Sequence, residues 1–168
     1  MYNKSDIELK VAEFLLQIKA IKLQPNNPFT WASGWKSPIY CDNRITLSHP
    51  SVRTYIRQKL AQLIQEEYGA VDVIAGVATA GIPQGVLVAQ ELGLPFIYVR
   101  AKAKEHGTGS LIEGEIIEGQ RVVVIEDLIS TGKSSLQAVD ALRSAGLSVA
   151  GLAAIFTYGF EKADENFA

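Results

Sequence analysis

From residue 71 onward, the chain alternates short apolar runs with helical patterns, and this alternation limits the possible folds more than any other feature. The runs are VDVIAGV, FIYVR, RVVVIED and LSVAGLAAIF, with helical segments that end near Gly93 and Gly146. Apolar runs without polar alternation are typical of parallel strands that are buried on both faces. Two βαβ units with right-handed crossovers therefore predict an α/β fold with an open, mostly parallel, doubly wound sheet. Ligands of such sheets bind at the carboxyl ends of the strands.

The first seventy residues follow a different pattern. Apolar residues at helical spacing predict one helix over about 6–20 and a second from about 48 to 69. Between them, prolines and glycines break 21–44 into irregular strands and turns. We therefore expect a single domain over 1–168, with a small amino-terminal region at about 1–48 and a core at about 70–168.

Composition excludes several classes of protein. The 16 Lys and Arg against 18 Asp and Glu give a formal charge of −2, which is the wrong sign for a general nucleic-acid or anionic-membrane partner. The one cysteine, Cys41, cannot form an internal disulfide, and no apolar stretch is long enough for a membrane span. We expect a cytoplasmic protein without a nucleic-acid or membrane partner.

The segment VVVIEDLISTGKSS carries the clearest chemistry. An apolar strand ends in Glu126 and Asp127, and a turn rich in hydroxyls and glycine then opens a helix. Backbone N–H groups at a helix start can surround a phosphate monoester. The two carboxylates can accept hydrogen bonds from vicinal hydroxyls, as on a ribose, and face a positively polarised carbon. Together these features predict a site for a sugar phosphate.

Simpler structural interpretations exist for the same residues. The acids could be solvated strand-end residues, and STGKSS could be a plain helix cap. The triplet Gly132-Lys133-Ser134 also resembles the end of a nucleotide-binding P-loop, which requires a glycine five residues before its Gly-Lys pair. That position holds Asp127. The sequence therefore argues against a nucleoside-triphosphatase.

A long segment without strong periodicity, 101–120, separates the two βαβ units. Loops of this length in compact domains are usually functional lids or disordered segments. Its charged residues, which include Lys102, Lys104 and His106, favour a lid, although a solvated charged loop would have the same composition.

The segment IEDLISTGKSS resembles the phosphoribosyl pyrophosphate signature of the type I phosphoribosyltransferases. Two more segments, FTWASGWKSPIYCDNR and VRAKAKEHG, resemble the orotate phosphoribosyltransferases within that family. The resemblance covers essentially the whole chain. It implies an enzyme that transfers the 5-phosphoribosyl group from phosphoribosyl pyrophosphate to orotate, giving orotidine 5'-monophosphate and pyrophosphate in pyrimidine synthesis. It also implies that 1–48 is a hood that binds the base.

The resemblance implies site residues by position. Lys104, His106 and Asp127 would be catalytic, and the turn at Val77–Gly81 would meet the pyrophosphate. Mg²⁺ would be the cofactor, bound mainly through pyrophosphate and not through a protein metal site. The partner would be a second copy, in a homodimer whose lid reaches into the neighbouring subunit's site. The implied substrate-binding residues are Lys36, Arg100, Lys102, Lys104, His106, Glu126, Asp127, Leu128, Ile129, Ser130, Thr131, Gly132, Lys133 and Ser134.

The chain also departs from better-known bacterial members of the family. They carry lysines at the positions of Ala32, Ala80 and Ala101, and an orotate-binding arginine at that of Tyr158. Lys36 and Lys102 are expected to compensate. The family usually continues past the end of this sequence with a further strand and helix, so we expect a carboxyl-terminal truncation. Two alternatives are a purine-type phosphoribosyltransferase and a regulator that senses phosphoribosyl pyrophosphate without turnover.

Overall fold

A computed structural model describes residues 4–30, 34, 36–102 and 110–168. These residues form two compact units, Met1–Ile56 and Arg57–Ala168. The prediction of a single domain with a boundary near residue 48 stays a prediction. Among the described helices, none is both long and apolar enough to cross a membrane.

The first unit contains short antiparallel strands between two helices. Helix α1 spans Lys4–Gln17, and α2 spans Pro50–Glu67 and continues into the second unit. Strand β1 (Ile21–Leu23) pairs with β4 (Ile39–Cys41), and β2 (Phe29–Thr30) pairs with β3 (Lys36–Ser37). A 3₁₀ helix over Asn43–Ser48 precedes α2. The predicted irregular strands and turns are confirmed.

Helix α1 ends earlier than the predicted residue 20. Lys19 has a φ of 59°, and the Ala20 N–H donates to the Leu15 carbonyl while the Lys19 N–H donates to the Leu16 carbonyl. These two bonds form a Schellman motif, which satisfies the last carbonyls of a helix and turns the chain away. The apolar pattern could not reveal this stop because no glycine marks it.

The second unit contains a five-stranded sheet in the order β7-β6-β5-β8-β9. Strands β5 (Val73–Val77), β6 (Phe96–Val99), β8 (Arg121–Ile129) and β9 (Ser148–Thr157) are parallel, and β7 (Ile112–Glu113) is antiparallel to β6. Helix α3 (Gly81–Leu92) connects β5 to β6, α4 (Lys133–Ser144) connects β8 to β9, and α5 (Glu161–Phe167) follows β9. The predicted mostly parallel sheet is confirmed.

Three glycines allow helix α3 to pack directly against the sheet. A Cβ at Gly81 would lie 2.6 Å from the Ile125 carbonyl oxygen, and one at Gly76 would lie 2.8 Å from the Gly81 carbonyl oxygen. A Cβ at Gly85 would lie 2.6 Å from the ring of Phe96. The amino-terminal end of α3 therefore lies against β8 at the residue before Glu126. The opposite face of the sheet packs Val73, Val122 and Val124 against Val139 and Leu142 of α4.

The predicted lid over 101–120 is too long. The Arg100 N–H donates to the Leu111 carbonyl, and Ile112 and Glu113 form β7. Ile116 packs against the core, and the Gly119 N–H donates to the Gly146 carbonyl. Residues 111–120 therefore belong to the sheet and its core, because pairing with β6 supplies an order that the local sequence does not indicate.

Candidate active site

The two acids lie at the point where β8 loses one of its two neighbours. Strand β5 pairs with β8 as far as Gly76 and Ile125, whereas β9 continues to pair as far as Ile129. The prediction that the strand ends in Glu126 and Asp127 is therefore wrong, since β9 also holds Leu128 and Ile129 in strand conformation. The acids are still at the carboxyl edge of the sheet, because β5 has ended beside them.

Glu126 is buried, with 5% of its surface exposed. Its Oε1 accepts the Asp127 N–H at 3.1 Å, and its Oε2 accepts the Ser135 hydroxyl of α4 at 3.3 Å. Burial is the main cause and the neighbouring Asp127 carboxyl the second, and together they raise the pKa of Glu126 from 4.5 to about 8. With Glu126 protonated, the pair carries at most one negative charge at neutral pH. A solvated strand-end role therefore does not describe Glu126.

This raised pKa makes the stability of the protein depend on pH. The folded state disfavours ionisation of Glu126. The contribution of this residue to the free energy of unfolding is therefore complete below its ordinary pKa of 4.5, and it is lost as the pH rises through about 8. We expect the free energy of unfolding to fall by a few kcal/mol across this range. In Glu126→Gln, which cannot ionise, this fall should be absent. Urea unfolding between pH 5 and 9 measures the free energy of unfolding of both proteins. The same dependence of this free energy on pH in the variant and in the wild type would contradict the prediction.

The loop between β8 and α4 has the geometry of an anion cradle. Gly132 has a φ of 77° in the left-handed region, and α4 begins at the next residue. No side chain caps the helix at Gly132, and Lys133 and Ser134 are exposed. The first N–H groups of a helix have no partner within it, and they attract anions. This geometry is compatible with the predicted phosphate site, which stays a prediction.

A cavity of about 650 Å³ lies along α4, between this helix and the ends of β5 and β6. Val77 and Ala78 at the end of β5, Arg100 and Ala101 after β6, and Ser134 of α4 all line it. The turn after β5 contains a cis peptide bond between Ala78 and Thr79. Val77, Arg100 and Ser134, which the resemblance implies for phosphoribosyl pyrophosphate, thus line one cavity, whereas Ser130–Lys133 of the loop do not. Glu126 and Asp127 are not among its lining residues.

Of the predicted cations that the structure describes, only Arg100 lies at the cavity. Arg100 lines the cavity, and its Nη1 lies 3.5 Å from Glu113 Oε1 of β7, an ion pair that the sequence analysis missed. Lys102 is exposed, and Lys36 is an exposed residue of β3 in the first unit. Lys104 and His106 lie outside the described residues. Their predicted catalytic roles stay predictions.

Tyr158 follows β9 next to the end of β8. Its N–H donates to the Ile129 carbonyl at 3.1 Å. Its ring stacks on Phe160 with centroids 5.5 Å apart and meets Phe156 edge-on at 5.1 Å. A neutral aromatic group therefore occupies the position at which the resemblance leads us to expect an arginine.

Two polar residues that contact the site were not predicted from the sequence. Ser135 is fully buried under Glu126, and the Asn166 side chain donates to the Thr131 carbonyl at 2.8 Å. Ser135 is nine residues after Glu126 and follows the loop directly, so a hydroxyl on the inner face of α4 was a usable signal. Asn166 is distant in sequence from the loop, and nothing local marks it.

Comparison with known proteins identifies the class. The profile of the Phosphoribosyl transferase domain matches residues 46–166. Among solved structures, orotate phosphoribosyltransferase from Aeropyrum pernix superposes with a TM-score of 0.75 and 28% identity, covering 94% of this chain and 99% of that one. Adenine phosphoribosyltransferase from Saccharomyces cerevisiae has a TM-score of 0.73 at 21% identity, covering 92% and 94%, and shows the shared fold.

Relatives with similar sequences show which branch of the phosphoribosyl transferase family the chain belongs to. Orotate phosphoribosyltransferase of Phocaeicola vulgatus is 62% identical over 161 residues, which cover 96% of this chain and 76% of that protein. The enzyme of the same name from Listeria innocua is 64% identical over 156 residues, covering 93% and 75%. The chain belongs to the phosphoribosyl transferase family and, within it, to the orotate phosphoribosyltransferases.

Proposed function

We propose that this chain transfers the 5-phosphoribosyl group of phosphoribosyl pyrophosphate to orotate, with release of pyrophosphate, as a step of pyrimidine synthesis. The observation that carries the proposal is the loop Ser130–Ser134, which joins two carboxylates to a helix start at one sheet edge. The high identity to relatives named orotate phosphoribosyltransferase supports the choice of substrate.

The chemistry required is mainly electrostatic. A ring nitrogen of orotate replaces pyrophosphate at the ribose C1, so positive charge develops on the sugar and negative charge on the leaving group. We propose that the loop amides hold the 5-phosphate while the Glu126 and Asp127 carboxyls bind the ribose hydroxyls near the developing cation. Arg100, Lys102 and Lys104 would neutralise the leaving pyrophosphate. His106 or Lys104 would donate a proton to it.

The fold alone does not determine which base accepts the phosphoribosyl group. Adenine phosphoribosyltransferase has the same fold, so a purine substrate is compatible with the sheet and the loop. What favours orotate is the sequence similarity, which covers 96% of the chain. The same similarity to named enzymes disfavours a regulator that binds phosphoribosyl pyrophosphate without turnover.

Magnesium is proposed as the cofactor, carried by the substrate. Within the described ranges, no cluster of three or more His, Cys, Asp or Glu side chains could hold a metal ion. Mg²⁺ is commonly bound by substrate phosphates together with one or two carboxylates and water. The ion would neutralise charge on the pyrophosphate.

A turnover assay tests the proposed function. The chain is mixed with phosphoribosyl pyrophosphate, Mg²⁺ and one base at a time, and pyrophosphate release is followed. We expect orotate to react, and uracil, hypoxanthine and xanthine to give only background. Turnover with a purine base would support the purine-type alternative, and binding without any turnover would support the regulator.

We also propose a homodimer in which the lid of one subunit completes the site of the other. If so, mixing inactive Lys104→Ala with inactive Asp127→Asn should restore partial activity, since hybrid dimers contain one site with both native residues. Steady-state turnover after confirmed subunit exchange is the measurement. No recovery would place Lys104 in its own subunit's site. Each variant mixed with itself is the control.

A cytoplasmic location is likewise our proposal. Cys41 is a buried cysteine outside any disulfide, and its thiol donates to Asn43 Oδ1 at 3.2 Å. A reduced thiol used for packing suits a reducing compartment. Fractionation of cells that express the tagged protein would test it.

A further inference from the structure

Helix α5 contacts the phosphate loop through two consecutive residues. The Asn166 Nδ2 donates a 2.8 Å hydrogen bond to the Thr131 carbonyl oxygen. The ring of Phe167 lies against Gly132, so that a Cβ at Gly132 would be 2.6 Å from Phe167 Cε2. Helix α5 therefore covers one side of the turn between β8 and α4.

The orientation of the Thr131–Gly132 peptide decides which way a phosphate-binding N–H points. This peptide is trans, and the C=O and N–H of a trans peptide point in opposite directions. Because the Thr131 carbonyl points to Asn166, the Gly132 N–H points away from α5.

The loop has little preference of its own for this orientation. Flipping a peptide before glycine changes the sign of the glycine φ, and glycine accepts either sign at little cost. The observed φ of 77° at Gly132 is thus one of two accessible states. A hydrogen bond from outside the loop is needed to select it, and Asn166 supplies one.

We infer that Asn166 is a positioning residue: its side-chain amide holds the Thr131–Gly132 peptide so that the Gly132 N–H faces the phosphate monoester of the sugar. This rests on the proposed function, in which the loop binds the 5-phosphate. Asn166 itself contacts no substrate. Its effect should be confined to ligands that carry this phosphate.

Two variants and two probes test the inference. Asn166→Ala removes the donor, and Asn166→Asp replaces it with a carboxylate that repels the Thr131 carbonyl. Titration calorimetry measures binding of ribose 5-phosphate and, separately, of inorganic pyrophosphate with Mg²⁺. We expect Asn166→Ala to bind ribose 5-phosphate about tenfold more weakly, or roughly 1.4 kcal/mol, and Asn166→Asp to bind it more weakly still. Affinity for pyrophosphate should not change.

Steady-state kinetics add a second readout. The KM for phosphoribosyl pyrophosphate should rise in Asn166→Ala with kcat nearly unchanged, because the phosphate contact is present equally in the ground state and the transition state. The control is Glu165→Ala on the same helix. The Glu165 carboxylate pairs with Lys162 at 3.0 Å, and both side chains are exposed. This variant should keep both affinities.

Three results would overturn the inference. Wild-type affinity for ribose 5-phosphate in both Asn166 variants would show that the loop needs no external hydrogen bond. An equal loss of ribose 5-phosphate and pyrophosphate binding, with a lower melting temperature, would show a merely structural role. If the wild-type protein does not bind ribose 5-phosphate at all, the assignment of the loop fails, and the proposed function fails with it.

Discussion

Asp127→Asn is expected to lower kcat about a hundredfold while changing the affinity for phosphoribosyl pyrophosphate much less. The substitution keeps the size of the side chain and one acceptor oxygen but removes its charge. Because the protonated Glu126 leaves the pair at most one negative charge, that charge is the feature which can stabilise a cationic sugar. A hundredfold loss corresponds to roughly 2.7 kcal/mol of transition-state stabilisation.

The comparison of kcat with KM decides the role of Asp127. An interaction made mainly in the transition state lowers kcat, whereas uniform binding changes KM alone. Glu118→Gln is the control, since Glu118 is an exposed carboxylate just before β8, at the far end of that strand from the site. It should behave as wild type. A rise in KM with unchanged kcat in Asp127→Asn would reduce the role of Asp127 to binding ribose hydroxyls.

Gly132→Val is expected to weaken binding of phosphoribosyl pyrophosphate at least about a hundredfold, or roughly 2.7 kcal/mol. A β-branched residue is strongly disfavoured at the φ of 77° found there. The new Cβ would also lie 2.6 Å from Phe167 Cε2. The side chain thus meets α5 and not the phosphate, and the loss of affinity arises because the loop must change shape. Titration calorimetry with phosphoribosyl pyrophosphate is the measurement.

The matched control for this variant is Gly93→Val. Gly93 has a φ of 66° at the far end of α3, with open space around its Cβ position. Gly93→Val introduces a similar backbone strain away from the loop. This variant should therefore lose stability without losing affinity for phosphoribosyl pyrophosphate. Equal affinity loss in both variants would mean that general destabilisation, and not loop geometry, controls binding.

The fold was largely predictable because its determinants are local. Unbroken apolar runs predicted buried parallel strands, and Gly93 and Gly146 marked the helix ends between them. Strand β7 was not predictable, since its two residues are ordered by pairing with β6. For the same reason the last residues of β8 resembled a loop, although β9 holds them in the sheet.

The site was predictable only where its residues adjoin in sequence. The two acids and the phosphate loop form one continuous motif, and their residue types indicate their chemistry. The burial of Glu126 could not be predicted, because it depends on α4 folding back and placing Ser135 beneath the carboxyl group. Asn166 contacts a residue 35 positions earlier, and only the folded chain brings the two together.

The early end of β5 has a consequence for solubility. From Glu126 to Ile129, β8 has a strand partner on the β9 side alone, and the amino-terminal end of α3 lies against the start of its other flank. Unpaired strand edges can recruit strands from other molecules and start aggregation. The part of β8 without a strand partner on this flank is only four residues long. The N–H and C=O groups of alternate residues point the other way, toward β9. An ordinary strand of about five or six residues would find too few partners there. Although β5 has ended beside it, this edge of β8 is therefore too short to serve as a template for a strand of another molecule.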